Sequence, residues 1–382
     1  LFEGISFWGT GPIGWLIPFL FVLSIIVFFH ELGHFLVARR CGVRVLTFSV
    51  GFGPEIFGFN DRRGTRWKFA AIPLGGYVKF FGDENAASVP DQAAVSSMTE
   101  SEKRDSFFHK TVGQRAAVVA AGPIANFLLA IVLFAGVFAI FGKQVSTPRV
   151  DSIQAGSAAA DAGFQPGDLI ISIDGRAIES FSDMQRIVSV SAGQRLTFVV
   201  ERGGVRQTLQ AIPATREVKD NFGNVSRIGV LGITRSMAPG DVRTESVGPL
   251  KALGMGVEQT WFVVDQTMSY LYKVIVGRES ADQLGGPIRI AQVSGQMASL
   301  GILPILHLAA VLSVSIGLLN LFPIPLLDGG HLLFYAIEAI RGRPLSDRAQ
   351  EMGFRIGLAL VLMLMVFATY NDITGLLQRV GS

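Results

Sequence analysis

Residues 4–29 contain no Asp, Glu, Lys or Arg, an apolar run long enough to cross a bilayer as a helix. Two further runs have the same character, 116–142 and 302–321, and a third, 352–371, carries only Arg355, placed at its start to snorkel. The first helix is expected from about residue 13 to 37. A fifth apolar stretch, 247–277, carries Lys251, Glu258, Asp265 and Lys273 and reads as an amphipathic interfacial helix rather than a span. Between the spans the period changes. Residues 43–52 and 67–81 are strand-like and joined through the turn Asp61-Arg62-Arg63-Gly64. Residues 146–235 read as a small β-rich module: a short helix after Ser157, a turn at Pro166-Gly167-Asp168, an alternating strand, then a turn at Asp174-Gly175. Residues 83–106, polar and rich in Ala and Ser, read as a mobile linker. The pattern predicts a polytopic α-helical membrane protein with four transmembrane helices, an inserted β-rich domain and a cytoplasmic, membrane-associated β-hairpin. Its expected segments are 1–37, 38–112, 113–142, 143–235, 236–300, 301–330, 331–351 and 352–382.

Composition supports the membrane class: 49% of residues are hydrophobic and only 16% charged. A net charge of +3 gives no nucleic-acid footprint. Cys41 is the single cysteine, which rules out a disulfide within the chain and a Cys-based zinc site. Metal ligands must then come from carboxylates and from the five histidines, His30, His34, His109, His307 and His331. The first run lacks a basic leader and a small-residue cleavage site, so it reads as a retained helix rather than a signal peptide.

Arginine and lysine set the expected orientation. Arg39, Arg40 and Arg44 follow the first span, Lys110 and Arg115 precede the second, and Arg341, Arg343, Arg348 and Arg355 lie between the third and fourth. The opposite flanks are sparser, with Glu3, Lys143, Asp372 and Arg379. The positive-inside rule places 38–112 and 329–351 in the cytoplasm, with both termini and 143–289 outside. The first and third spans then run in the same direction and end at similar depth.

At the cytoplasmic end of the first span stands His30-Glu31-Leu32-Gly33-His34. On a helix the two histidines are i and i+4 and share a face, so both imidazoles can bind one ion, with Glu31 beside them as a base. Ionisable groups at such depth are costly and point to function. A hydrolytic zinc site needs three protein ligands, and this helix supplies two. Asp328 is the candidate third, past the end of the third span in Asn320-Leu-Phe-Pro323-Ile-Pro325-Leu-Leu-Asp328-Gly329-Gly330-His331. The prolines cannot sustain a regular helix, and the two glycines allow backbone geometries that others do not. His331 is expected beside the ligands, His307 as a helix–helix hydrogen-bonding residue in mid-span, and His109 at the interface. The competing interpretation makes His30 and His34 polar helix-packing residues.

These residues, with Gly122-Pro123-Ile-Ala-Asn126-Phe127 in the second span, resemble the site-2 protease family of zinc intramembrane metalloproteases, over nearly the whole chain. The resemblance implies one zinc per chain on His30, His34 and Asp328, Glu31 as catalytic base, and Asn320, with Pro323 and Pro325 beside it, on the substrate-binding side. It implies single-span membrane proteins as substrates, of the anti-sigma-factor type after a first trimming cut, with remnant signal peptides as a second class. It also implies a multi-pass protein of the bacterial inner membrane, in contact with lipid and not with nucleic acid. Two departures stand out. Only about one outer module fits where some bacterial members carry two, and Ser315 stands where a polar amide is expected.

The module at 146–235 looks like a PDZ domain in circularly permuted order, with Gly229, Val230, Leu231, Gly232 and Ile233 as the peptide-binding loop. PDZ domains bind peptides by strand addition; the rival interpretation is a filter that excludes untrimmed substrates by size. In the hairpin, Gly75, Gly76 and Tyr77 lie on a strand edge that could pair with an unwound substrate, as the family implies. A non-proteolytic PDZ-containing membrane adaptor is the alternative for the whole chain, and a metal-ion transporter a third.

Overall fold

The computed structural model describes residues 12–83, 97–219, 225–234, 242–281 and 285–380. In chain order these form α1 (Pro12–Arg40), β1 (Val45–Asn60), β2 (Arg66–Phe80), α2 (Val112–Phe141), β3 (Lys143–Ser146), β4 (Ser152–Ile153), β5 (Leu169–Ile173) and β6 (Arg176–Ala177). There follow α3 (Phe181–Val190), β7 (Leu196–Arg202), β8 (Val205–Ala211), β9 (Ala214–Lys219), β10 (Val225–Val230), β11 (Ile233–Thr234) and β12 (Val242–Glu245). The chain closes with α4 (Pro249–Ile275), α5 (Pro287–Ser299), α6 (Ile302–Asn320), α7 (Asp328–Arg341) and α8 (Asp347–Val380). Two compact units result, one of residues 1–137 and 249–374, the other of 138–248 and 375–382.

In the first unit four helices are long and apolar enough to span a membrane: Gly14–Arg40, Val112–Phe141, Ile302–Asn320 and Arg348–Gly375. They coincide with the four expected runs. The 247–277 stretch forms α4, which does not join them and is amphipathic as expected. α1 ends where Arg39 and Arg40 complement the negative end of the helix dipole. The chain then turns into the antiparallel hairpin β1–β2, whose register pairs Val50 with Gly76, Ser49 with Tyr77 and Phe48 with Val78. The hairpin folds back on α1 because its base is apolar. Phe48 is buried, its ring stacked on Trp67 at 4.3 Å and edge-on to Phe35 at 5.5 Å. Asp61 sits in the expected turn. Burial would raise its pKa, but hydrogen bonds from Thr65, Trp67, Arg39 and Arg63 outweigh this and bring it down to about 2. Toward the tip, Ile56, Phe57 and Phe59 are exposed.

Two expectations need correction. Of the linker expected at 83–106, residues 84–96 lie outside the described residues. Its remainder is ordered: Glu100–Asp105 is a helix with a capping box between Thr99 and Glu102, and Ser106 is buried. The signal was present as Thr99-x-x-Glu102. The connector expected at 331–351 is largely α7, ended by Gly342 in the left-handed region at φ 68°. Glu3, on the outer flank of the first span, lies outside the described residues.

α8 meets the rest of its unit near both ends. Asp372 is buried and accepts from the backbone N–H groups of Gly286, Ile288 and Arg289 at 2.8, 3.0 and 3.1 Å, so α8 supplies the N-terminal cap of α5.

The second unit is the β-rich module. Its four-stranded antiparallel sheet runs β6-β5-β7-β8, and α3 packs its buried Met184 and Val188 into a core with Ile170, Ile173, Phe198 and Val200. Gly203 and Gly204, at φ 58° and 82°, make the two-residue β7–β8 turn that needs left-handed backbone at both positions. The module reaches beyond the expected limit of 235, because β12 pairs with β3 at its base. Asp168 is fully buried and accepts two bonds from Arg202 at 2.6 and 2.7 Å. Burial alone would raise its pKa; the Arg202 guanidinium and the Gln165 backbone N–H outweigh this and lower it.

Candidate metal centre

His30, Glu31 and His34 project from α1 into a cavity of about 230 Å³, walled also by Gly76, Tyr77 and Val78 of β2, by Asn320, and by Asp328, His331 and Tyr335. Asp328 opens α7. His30 Nε2 lies 3.2 Å from Asp328 Oδ2, His34 Nε2 lies 3.6 Å from Asp328 Oδ1, and the two Nε2 atoms are 3.3 Å apart. One ligand atom from each of the three residues thus falls within 4.8 Å of the others.

Each imidazole is held from behind. His34 Nδ1 donates to the Val118 carbonyl at 2.9 Å, which places the proton on Nδ1 and leaves the Nε2 lone pair facing the cavity. His30 Nδ1 meets the Asn126 carboxamide at 3.3 Å. With Nε2 of His30 given to an ion, Nδ1 bears the proton, and the amide meets it best through its oxygen. That orientation also gives a partner to Asn126 Oδ1, a buried atom otherwise without one. The backbone at Asn126 is held in turn: its main-chain carbonyl accepts from Ser313 Oγ on α6 at 2.8 Å.

Small residues make the contact possible. A Cβ at Gly33 would overlap the Ala121 carbonyl, and one at Gly122 would overlap the His34 ring. Without a hydrophobic force between helices in lipid, such close backbone approach drives association. The competing interpretation of His30 and His34 as ordinary packing residues does not explain why three ligand atoms converge. Nor does it explain why Asp328 Oδ2, buried, has no hydrogen-bond partner. A partnerless buried carboxylate oxygen beside two oriented imidazoles fits a divalent cation with N/O ligands.

The segment between α6 and α7 departs from a helix as the prolines require, but the glycines act differently from expectation. The left-handed residue is Leu326, at φ 108°. Gly329 and Gly330 are helical and needed for space: a Cβ on Gly329 would overlap the Leu321 and Phe322 carbonyls, and one on Gly330 the Ile324 carbonyl. Leu326 and Leu327, rather than Pro323 and Pro325, line the cavity, and Gly76 rather than Gly75 does so on β2. Gly76 packs against α1, where a Cβ would come 3.1 Å from Glu31 Cγ. Residues 66–69 of β2 pair with β1 on both edges, at 47–50 and at 57–60, whereas Gly76, Tyr77 and Val78 pair only with Val50, Ser49 and Phe48, so among the described residues no strand pairs with their second edge.

His331 borders the cavity, its ring 5.5 Å from Phe354, and is not one of the three converging residues. His307 meets Phe134 edge-on at 5.2 Å, an aromatic contact in place of the expected hydrogen bond. His109 is exposed. Ser315 donates to the Val311 carbonyl of its own helix at 3.0 Å. Asn126, Val118 and Ser313 were given no role from sequence; the short polar side chain of Asn126 inside a charge-free span was the available signal.

In the β-rich module, Gly229, Val230, Leu231, Gly232 and Ile233 line one side of a second cavity of about 420 Å³, with α3 on the other. A Cβ at Gly229 would overlap the Val188 carbonyl, so this strand and α3 approach closely.

Residues 18–364 match the family described as Peptidase family M50. A protein of Rhizobium meliloti is 55% identical over 358 residues, covering 94% of this chain and 96% of that one. One of Agrobacterium fabrum is 52% identical over 364 residues, covering 95% and 97%. Both are named "Putative zinc metalloprotease". Metalloprotease MmpA of Caulobacter vibrioides is 43% identical over 380 residues, covering 94% and 95%. Among solved structures, the PDZ domain of an SdrC-like protein from Listeria monocytogenes aligns with 22% of this chain and 83% of that one, at 24% identity and a TM-score of 0.18.

Proposed function

The chain belongs to Peptidase family M50, and from that premise we propose that it is a zinc-dependent endopeptidase that hydrolyses peptide bonds of single-span membrane proteins inside the bilayer. The observation that carries this reading is the convergence of Asp328, with its buried carboxylate oxygen, on His30 and His34, which stand on a helix apolar enough to span. These three would hold the ion. A bound zinc supplies Lewis-acid chemistry, lowering the pKa of a water toward neutrality and polarising the scissile carbonyl.

The chain's own residues do the rest. Glu31, on the same cavity wall, takes a proton from the attacking water. As oxygen joins the carbonyl carbon and the C–N bond breaks, it passes that proton to the departing amine. Val118 and Asn126 hold the imidazoles in the tautomer that presents Nε2. A transmembrane helix hides its scissile amide in i→i−4 bonds, so the substrate must be drawn out as a strand. We read the edge at Gly76–Val78, which lines the cavity, as the strand that pairs with it, with Asn320 bordering the same cavity.

We place 38–112 and 329–351 in the cytoplasm of a bacterial inner membrane, with both termini and the β-rich module on the periplasmic side. Anti-sigma-type proteins already trimmed outside, and remnant signal peptides, suit this arrangement as substrates. The module, read as PDZ-like, offers its 420 Å³ cavity beside Gly229–Ile233 to an incoming peptide end. The adaptor alternative has no use for a complete ligand set with a base beside it.

The test is metal removal. Purified chain in proteoliposomes with a single-span substrate is expected to cleave it, to lose cleavage on chelation, and to regain it with zinc. Cleavage that persists in metal-free enzyme would contradict the proposal.

A further inference from the structure

We propose that Gly357, on α8, is a positioning residue for Asp328, acting through the backbone of Pro325; the inference rests on Asp328 being a zinc ligand. Asp328 is delivered by residues 321–327, which have no regular secondary structure beyond turns and an isolated bridge between Pro325 and Leu327. Something must hold this stretch still, because a metal ligand has to sit within a few tenths of an ångström of its place.

The stretch is gripped from two sides. On one, Gly330 lies so close that a Cβ there would come 2.5 Å from Pro325 Cα. On the other, a Cβ at Gly357 would overlap the Pro325 carbonyl oxygen, and one at Gly353 would come 3.6 Å from Pro325 Cγ. Pro325 is therefore pressed between the backbones of α7 and α8. Phe354, in the same turn of α8, packs its ring 5.5 Å from His331 and 5.8 Å from Phe334. One turn of α8 thus touches the ligand segment and the helix that starts with the ligand. Beyond this turn α8 is largely exposed until Asp372, with Leu358, Leu362 and Val366 all open. Its influence on the site is concentrated at 353–357.

Packed interiors cannot absorb an extra methyl against backbone without movement. A side chain at 357 must displace either Pro325 or α8. Displacing Pro325 moves Asp328, three residues on, relative to His30 and His34. Residues that orient metal ligands from behind typically change metal affinity by about 10–100-fold when altered.

The test compares Gly357→Ala with Gly375→Ala in the intact, zinc-loaded chain in detergent. Both substitutions remove a helix glycine, so both gain similarly in helix propensity, but no atom lies within 4 Å of a Cβ at 375. Zinc release to a chromogenic chelator is followed on monodisperse protein, without reference to activity. Gly357→Ala is expected to release zinc about tenfold faster than wild type, and Gly375→Ala at the wild-type rate. Wild-type release from Gly357→Ala overturns the inference. If Gly357→Ala does not fold, Gly353→Ala takes its place, since a Cβ there meets a movable Phe334 ring at 2.8 Å; a smaller acceleration is expected, and none overturns the inference. A wild-type chain that binds no zinc sinks the metal assignment and this inference together, whereas a zinc-binding wild type beside unaffected glycine variants sinks this inference alone.

Discussion

Glu31→Gln is expected to keep its zinc and to cleave a single-span substrate about 10²–10⁴-fold more slowly, the typical worth of general acid–base catalysis. Gln matches Glu in size, so the helix, the packing of Gly76 against residue 31 and the cavity wall survive. Glu31 is not among the three converging residues, so the metal set is untouched. What is lost is one proton acceptor: a carboxamide cannot take a proton from water and return it to the amine. Zinc content by atomic absorption and turnover on one reconstituted substrate separate the two effects. Near-normal turnover would remove Glu31 from the chemistry, and loss of zinc would make it structural.

Asp328→Ala is expected to lose both zinc and cleavage. Its carboxylate lies 3.2 and 3.6 Å from the two imidazoles and supplies the only acidic member of the set. Removing it leaves two neutral nitrogen ligands. Affinity should fall by more than the roughly 10–100-fold typical for an outer partner alone, and excess zinc should restore little activity. The chain itself should still fold, since of the two oxygens removed the buried Oδ2 makes no hydrogen bond and Oδ1 lies 3.6 Å from His34 Nε2. Zinc stoichiometry after dialysis checks this; full retention would mean that another group completes the site.

Much of this was legible because membrane chains are written in large units. Long apolar runs announced four helices, and a charged motif inside the first announced chemistry, since lipid makes such residues costly. The period-2 stretches on either side of Asp61–Gly64 announced the hairpin. Asp328 was legible because two prolines and two glycines interrupt a span where a third ligand was wanted. What stayed hidden depends on contacts between distant segments. Nothing local in Asn126 or Val118 says that they face His30 and His34, some 84–96 positions away. Gly329 and Gly330 suggested unusual backbone, but space against residues 321–324 is what requires them, and the unusual dihedral falls on Leu326. His307 looked like a hydrogen-bonding residue because its neighbour Phe134 comes from another helix. The true extent of the β-rich module depended on β12 returning to β3, a pairing too short to mark itself in the pattern.

The central claim is that hydrolysis happens within the membrane, and the most direct measurement is where the new chain ends lie. A single-span substrate cleaved by the wild-type chain in proteoliposomes can be sequenced at its fresh termini by mass spectrometry, with Glu31→Gln as the blank. The account predicts termini inside the substrate's apolar span, toward its cytoplasmic half, and absent with Glu31→Gln. Termini found only in the soluble flanks, with the span left whole, would contradict it.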